Sequence, residues 1–399
     1  MSNIVELKTS DFQTKVVRLP LGQYLPTEDG FTKTEDLSFD LLAKANGDFS
    51  SPVGMSKLED SITLEPCLRI VSKQGDEVVL PEMCVVKTPQ GRKFAKDIVL
   101  GDQLDSFLCD PETGTGLPED PDLREGVFEE LQRQNFALGF FAGVLVGNGS
   151  IGRQQTTNKD KPRPTYVMYF CHLPHEEHIR ERAELFAGLF GKKARTYKPN
   201  AKYEHKVTTF TLPVNYFPQR FLNKEQVDQW VFEKGNLEVI KGYLRGIFEC
   251  DSCVSCSELR LVQSNLPRLQ KIKQMLARFG IFSRIRLQSK AGTYEFYSRD
   301  ENGEKVIQNS GQKKPSWYLN LVGKSLKDFQ NMIGFDLNSK KDLGLQELIK
   351  NKIVWTNIDE CGEVVEVYHE EHPCLPIVMQ TTVGNNLVQT GLNGLKVII

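Results

Sequence analysis

The sequence predicts an α+β chain made of two similar halves, with β-rich segments before and after them. Three observations predict it. Two apolar helical runs of the same design occur roughly 100 residues apart, a spacing that fits a repeated half-domain. Each run is followed by strand, helix and strand patterns in the same order. The stretches near 85–104 and 384–395 alternate short apolar runs with turn signals such as Pro89-Gln90-Gly91 and Gly101-Asp102.

The helical runs organise the chain. The first reads Phe140-Phe141-Ala142-Gly143-Val144-Leu145-Val146-Gly147-Asn148-Gly149-Ser150-Ile151, the second Tyr243-Leu244-Arg245-Gly246-Ile247-Phe248-Glu249-Cys250-Asp251-Ser252-Cys253-Val254. Gly inside an apolar helix costs about 1 kcal/mol against Ala. Gly143 and Gly246 therefore predict two helices crossing at short range. That crossing brings their ends, and so Asn148 and Asp251, side by side. Two acids in that arrangement hold divalent metal ions against a phosphodiester. Here one of the two is an amide.

On these residues the chain resembles the LAGLIDADG homing endonucleases in their single-chain, two-repeat form. The nonamers are Phe141 to Gly149 and Leu244 to Ser252. The resemblance implies a pseudo-symmetric fold with αββαββα-type halves, and a helix interface at Gly143 and Gly246. It implies Mg2+ held by the eighth residue of each motif, here Asn148 and Asp251. Asp251 matches the family pattern. Asn148 and Ser252 depart from it, and Asn148 matters more, because an amide carries no charge.

The flanks add a second resemblance. Val85 to Leu104 reads as strand, turn, strand, Gly-Asp turn and strand, and resembles the early block of Hint domains, the self-splicing fold of inteins. Gly384 to Leu395 resembles the closing hairpin of that fold. Splicing needs a nucleophile, a Thr-x-x-His and a terminal His-Asn. The chain ends Val397-Ile398-Ile399, and no His lies in 85–110. A Hint-like element that does not splice is therefore expected.

The expected organisation is an accessory region at 1–80, Hint-like segments at 81–125 and 355–399, and the endonuclease at 126–354. Its repeats cover about 126–235 and 236–354. In the first region Lys15 to Leu19 reads as a strand and Ser56 to Leu64 as a short helix. Asp110 to Asp122 reads as a linker. Asp102 to Glu130 carries ten acids against Arg124 alone and should stay off DNA.

In the first repeat Tyr166 to Phe170 is a strand and His175 to Phe190 an amphipathic helix. Strands follow at 192–198 and 205–212. Ile151 to Lys206 carries twelve Lys/Arg and six Asp/Glu. In the second repeat Glu258 to Gln263 is a strand and Asn265 to Phe279 a helix stopped by Gly280. Strands follow at 281–288, 293–297 and 317–322. Arg260 to Lys290 carries eight basic residues and no acid. The whole chain has a net charge of −2. Two basic zones in so balanced a chain predict one charged surface for nucleic acid.

In the family each repeat lays a β-ribbon in the major groove. The resemblance makes Arg153, Gln154, Gln155, Arg195, Lys198, Arg284, Arg286 and Gln288 candidate DNA contacts. It makes Lys341, or its neighbour Lys340, a candidate for assisting the reaction, with plain surface charge as the equal alternative.

Nine cysteines, odd and scattered, predict reduced thiols in a cytoplasmic compartment with access to DNA. Cys250, Cys253 and Cys256 have a spacing seen in zinc and iron–sulfur sites, but Cys250 lies within the helical motif and no fourth ligand is near. The expected activity is Mg2+-dependent hydrolysis of a long, asymmetric double-stranded DNA site by a monomer, impaired by Asn148. The alternative is a catalytically silent nucleic-acid binder or an RNA maturase.

Overall fold

A computed structural model of the chain describes residues 8–106 and 135–398 apart from short stretches at 10–11, 28–29, 38–41, 44–48, 51–53, 58–60, 156–163, 175, 190, 200–203, 214–222, 256, 300–304, 337–338, 352–360, 383–388 and 394. The expected linker at Asp110 to Asp122 lies outside the described residues.

Among the described residues before 107, every regular element apart from the single 3-10 turns at Thr34–Asp36 and Ala95–Asp97 is a strand. In order they are β1 (Lys8–Thr9), β2 (Phe12–Pro20), β3 (Tyr24–Thr27), β4 (Gly30–Lys33), β5 (Leu42–Ala43), β6 (Phe49–Ser50), β7 (Gly54–Lys57), β8 (Thr63–Ser72), β9 (Glu77–Pro81), β10 (Val85–Thr88), β11 (Gly91–Phe94) and β12 (Gln103–Asp105). The first half follows: α1 (Asn135–Gly147), β13 (Gly149–Gln155), β14 (Pro164–His172), α2 (Glu177–Leu189), β15 (Arg195–Tyr197), β16 (Lys206–Pro213) and α3 (Lys224–Lys234). The second half is α4 (Leu237–Asp251), β17 (Ser252–Val254), β18 (Leu259–Gln263), α5 (Leu266–Ala277), β19 (Arg284–Ser289), β20 (Gly292–Arg299), β21 (Lys305–Lys313), β22 (Ser316–Leu321), α6 (Lys324–Met332) and α7 (Lys340–Asn351). Three strands close the chain: β23 (Cys361–Thr382), β24 (Gln389–Leu392) and β25 (Leu395–Ile398).

Each half carries one four-stranded antiparallel sheet of the same order, β13-β14-β16-β15 and β17-β18-β22-β19. Helices α1 and α4 lie between them. Helix α1 is buried on all sides from Phe140 to Val146, as an apolar helix without a polar stripe must be. Helix α4 starts at Asn236, whose side chain accepts a hydrogen bond from the Val239 amide at 2.8 Å. The core runs through both halves, from Phe141, Phe170, Phe186 and Phe210 to Phe248, Leu261, Leu319 and Phe329.

The flanks fold together. β23 is their spine: it pairs with β2 along Cys374–Thr382 and with β8 along Val364–Cys374. It also pairs with β12 at Cys361–Glu363 and with β7 at Ile377–Gln380. These pairings cross the division at residue 80 drawn from the sequence, because β2, β7 and β8 share a sheet with the C-terminal segment. The helix expected over Ser56 to Leu64 is absent from the described residues there: 54–57 and 63–72 are strands on β23. Alternation in β8 puts Leu68 and Ile70 into the flank core, and that period of two defeats a helix. Strands β10 and β11 form the expected hairpin, and β25 closes against β10 with Val85 opposite Ile398.

Candidate nuclease site at the helix crossing

The crossing of α1 and α4 is set by glycines. A Cβ on Gly143 would lie 2.2 Å from the Tyr243 carbonyl oxygen, and one on Gly246 would lie 2.4 Å from that of Phe140. Gly139 and Gly242 meet the partner backbone in the same way. No side chain fits, so backbone packs on backbone.

At the C-terminal ends the two turns come together. The Asn148 backbone N–H donates to the Val144 carbonyl at 3.0 Å and lies beside the Cys250 sulfur, and a Cβ on Gly147 would stand 3.5 Å from Asp251 Oδ2. The first turn needs Gly149, where a Cβ would meet Leu145 Cα at 2.6 Å. The second turn takes Ser252, extended at φ −92°, whose hydroxyl donates to the Phe248 carbonyl at 2.5 Å.

Asp251 is half-buried and accepts a hydrogen bond from Gln263 Nε2 on β18 at 2.5 Å. Burial pushes its carboxyl above the usual range, while Gln263 and then the charges of Lys224, Lys341 and Arg268 pull it back. Lys341 Nζ donates to the Phe248 carbonyl at 3.2 Å and to that of Glu249. Its counterpart Lys224 donates to the carbonyls of Val146 at 2.8 Å and Gly147 at 3.3 Å. Burial holds the Lys224 amine below its ordinary pKa. A helix C-terminus is a negative dipole end that repels phosphate. Each lysine neutralises one such end where the two ends meet.

The sequence pointed to Lys341 and missed Lys224 and Gln263. Lys224 opens α3, just after the residues left undescribed, and no local pattern marks it. Its signal was symmetry: one lysine per motif was the form to look for. Lys340 is exposed and makes no such contact among the described interactions.

The sheets present the other face. In the second half the register sets Arg260, Tyr318, Asn320, Arg284 and Arg286 on the side away from the helices. Arg260 stacks on Tyr318 at 4.4 Å, and Glu258 binds both Arg260 and Asn320. Arg286 and Gln288 are exposed, and Arg284 is half-buried near Phe282. In the first half Arg195 and Lys198 are exposed. On β13, Arg153, Gln154 and Gln155 pair in register with Tyr166, Thr165 and Pro164 of β14.

The basic density over 260–290 resolves differently from expectation. Lys273 is buried against Asp76 at 2.5 Å, and Arg268 is paired with Asp228 at 2.6 Å. Lys271 binds Gln229, and Arg278 is buried near Phe31. Helix α5 turns these cations inward, toward acids and rings of α3 and the flank. The exposed cations of this stretch are Arg286 and Lys290.

Residues 238–334 match the family profile described as a LAGLIDADG-like domain. This part of the chain is a LAGLIDADG-like domain. The match contains the second motif, Asp251, Gln263 and the sheet β17-β18-β22-β19; the first motif lies outside it. Among solved structures, the chain is similar to the crystal structure of I-DmoI in complex with DNA and Ca, at 13% identity over 53% of this chain and 98% of that one, with a TM-score of 0.38. Mesophilic variants of the homing endonuclease I-DmoI match at 13% identity over 50% and 97%, with a TM-score of 0.36. The gp41-1 intein matches at 14% identity over 23% and 68%, with a TM-score of 0.20. No curated protein matches the chain.

Proposed function

We propose that the chain is a site-specific double-stranded DNA endonuclease of the homing type, with hydrolysis centred on Asp251. One observation carries this reading: a half-buried acid stands at the meeting point of two helix ends, flanked by Lys224 and Lys341.

The donor set fits Mg2+. Among the described residues no group of three His, Cys, Asp or Glu could hold a metal ion. Mg2+ does not need one: it keeps several waters and takes one or two carboxylates plus substrate phosphate oxygens. Asp251 would be the charged protein ligand, and the Asn148 side-chain oxygen would be a neutral one. Bound there, Mg2+ supplies Lewis-acid polarisation of the phosphate and a water acidic enough to attack it in line.

The chain's own residues do the rest. Gln263 fixes which way the Asp251 carboxylate faces. Lys224 and Lys341 hold the two helix ends and offset their negative dipoles, so that a phosphate can approach. The open sheet faces, with Arg195, Arg286 and Gln288, lie along the duplex. The products are a 5′-phosphate and a 3′-hydroxyl. With an amide at 148, cleavage of the second strand is weak, and the enzyme nicks.

One observation favours the alternative of a binder or RNA maturase without cleavage, namely Asn148 itself. The test is incubation of a randomised duplex library with Mg2+, using this chain beside Asp251→Asn. Nicked products from the first and none from the second support the nuclease. Duplex retention by both, without cutting, makes the chain a binder.

A further inference from the structure

The halves differ most in their second hairpin. In the first half β15 and β16 are joined by eight residues, 198–205. In the second half β19 and β22 are separated by 26 residues, 290–315, which hold a ribbon of their own. Strands β20 and β21 pair from Gly292 opposite Lys313 to Arg299 opposite Lys305. β19 and β22 end with Ser289 opposite Ser316, so the ribbon continues the same hairpin past the edge of the sheet.

The near end of this arm is cationic. Across 286–294 and 306–314 the sequence holds Arg286, Lys290, Lys313 and Lys314 and no acid. Lys290, Lys313 and Lys314 are exposed, as are Gln288 and Gln312. Of the acids in the arm, Glu295 lies in β20 opposite Ser310, and Asp300, Glu301 and Glu304 fall in the residues joining β20 to β21.

The root of the arm is anchored from the flank. β19 is an edge strand, and its outward Ile285 amide donates to the Gln74 carbonyl at 2.9 Å. Gln74 belongs to the turn between β8 and β9. The next residue, Gly75, has φ +86° and packs so closely that a Cβ there would meet Ile285 Cβ at 2.7 Å. Buried Lys273 ties the turn to α5, donating to Gln74 O at 3.0 Å and pairing with Asp76 at 2.5 Å. The arm thus leaves the sheet from a fixed base.

We infer that this arm is a duplex-contacting extension that lengthens the DNA footprint on the Asp251 half alone. The inference rests on the DNA-binding reading above. Eight residue pairs at about 3.4 Å each give a reach of about 27 Å. At about 3.4 Å per base pair that is about eight base pairs. Its exposed lysines fit the phosphate backbone and not a base code, so the arm adds affinity and length more than sequence choice.

The experiment is a hydroxyl-radical footprint of the full chain on a duplex selected from a random library. It is run beside a variant with 291–314 replaced by a two-residue Asn-Gly turn, and beside the triple variant Lys290→Ala, Lys313→Ala, Lys314→Ala. The shortened variant should lose about five to eight protected base pairs at one end only. The triple variant, altered only at exposed positions, should lower the slope of log K against log salt by about two to three. Unchanged footprint ends and an unchanged slope overturn the inference while leaving the nuclease reading intact. If the unaltered chain retains no duplex, the DNA-binding reading falls and the arm with it.

Discussion

The two helix ends are alike in scaffold and unlike in charge. Each is a glycine-packed helix whose last carbonyls are held by one lysine, Lys224 for α1 and Lys341 for α4. One turn offers the Asp251 carboxylate, fixed by Gln263; the other offers the Asn148 amide. The hairpins differ too, eight connecting residues against an anchored ribbon. Close backbone packing requires both halves to keep the helix crossing, since either glycine lost would separate both. Nothing in that packing requires the residue past the helix end to be an acid. Chemistry can therefore leave one half while the fold stays.

The largest effect should come from breaking the part that the halves share. Gly143→Leu and Gly246→Leu each drive a side chain into the partner backbone, and each should cost about 3 kcal/mol or more. Urea unfolding of either variant, with loss of both halves in one transition, checks this. If only one half melts, the helices do not form the single joint described.

Asp76→Ala acts on the second half and on the flank turn that anchors it, where Asp76 also accepts a hydrogen bond from the Ser72 hydroxyl at 2.9 Å. It leaves Lys273 as an unpaired buried charge, which costs about 3–5 kcal/mol. Hydrogen exchange should show the loss first around β19 and α5, with α1 and β14 following only in global unfolding. The double change Asp76→Ala with Lys273→Met should recover most of the loss.

Lys341→Met and Lys224→Met compare the two helix ends directly. Each frees a pair of carbonyls and should cost about 1–2 kcal/mol in denaturant melts. Both should also slow nicking, because both charges act on Asp251. A variant that slows nicking with unchanged melting would make that lysine a participant in the chemistry as well as a cap.

The smallest effect is in pH. The Asp251 carboxyl titrates above the usual carboxylate range because burial disfavours its charge. A protonated carboxyl does not hold Mg2+, so nicking should be full at neutral pH and fall on acidification at a higher pH than an ordinary Asp allows. The sign for stability is opposite. A raised carboxyl favours folding below its unfolded pKa, and that contribution is lost as pH rises through the folded value. Asp251→Asn should therefore abolish nicking without lowering the melting temperature at neutral pH.

The sequence made the helix crossing legible because Gly143 and Gly246 are costly and so need a reason. It made the sheets legible because strands such as Tyr166–Phe170 and Trp317–Leu321 carry their own period. Other features depended on contacts far apart in the chain. Gln263 and Lys224 reach the site only once the two halves meet. The flank strands β2 and β8 are joined by β23, hundreds of residues later. Counting charges failed for the same reason: Arg268 and Lys273 are basic in sequence but internal once Asp228 and Asp76 are placed beside them.

In the proposed function Asp251 marks a working half and Asn148 a silent one. The most direct measurement is cleavage of a selected duplex with each strand labelled separately, in Mg2+, by this chain and by Asn148→Asp. One labelled strand should be cut by the unaltered chain and both by the variant. Equal cutting of both strands by the unaltered chain, or cutting that survives Asp251→Asn, would contradict it.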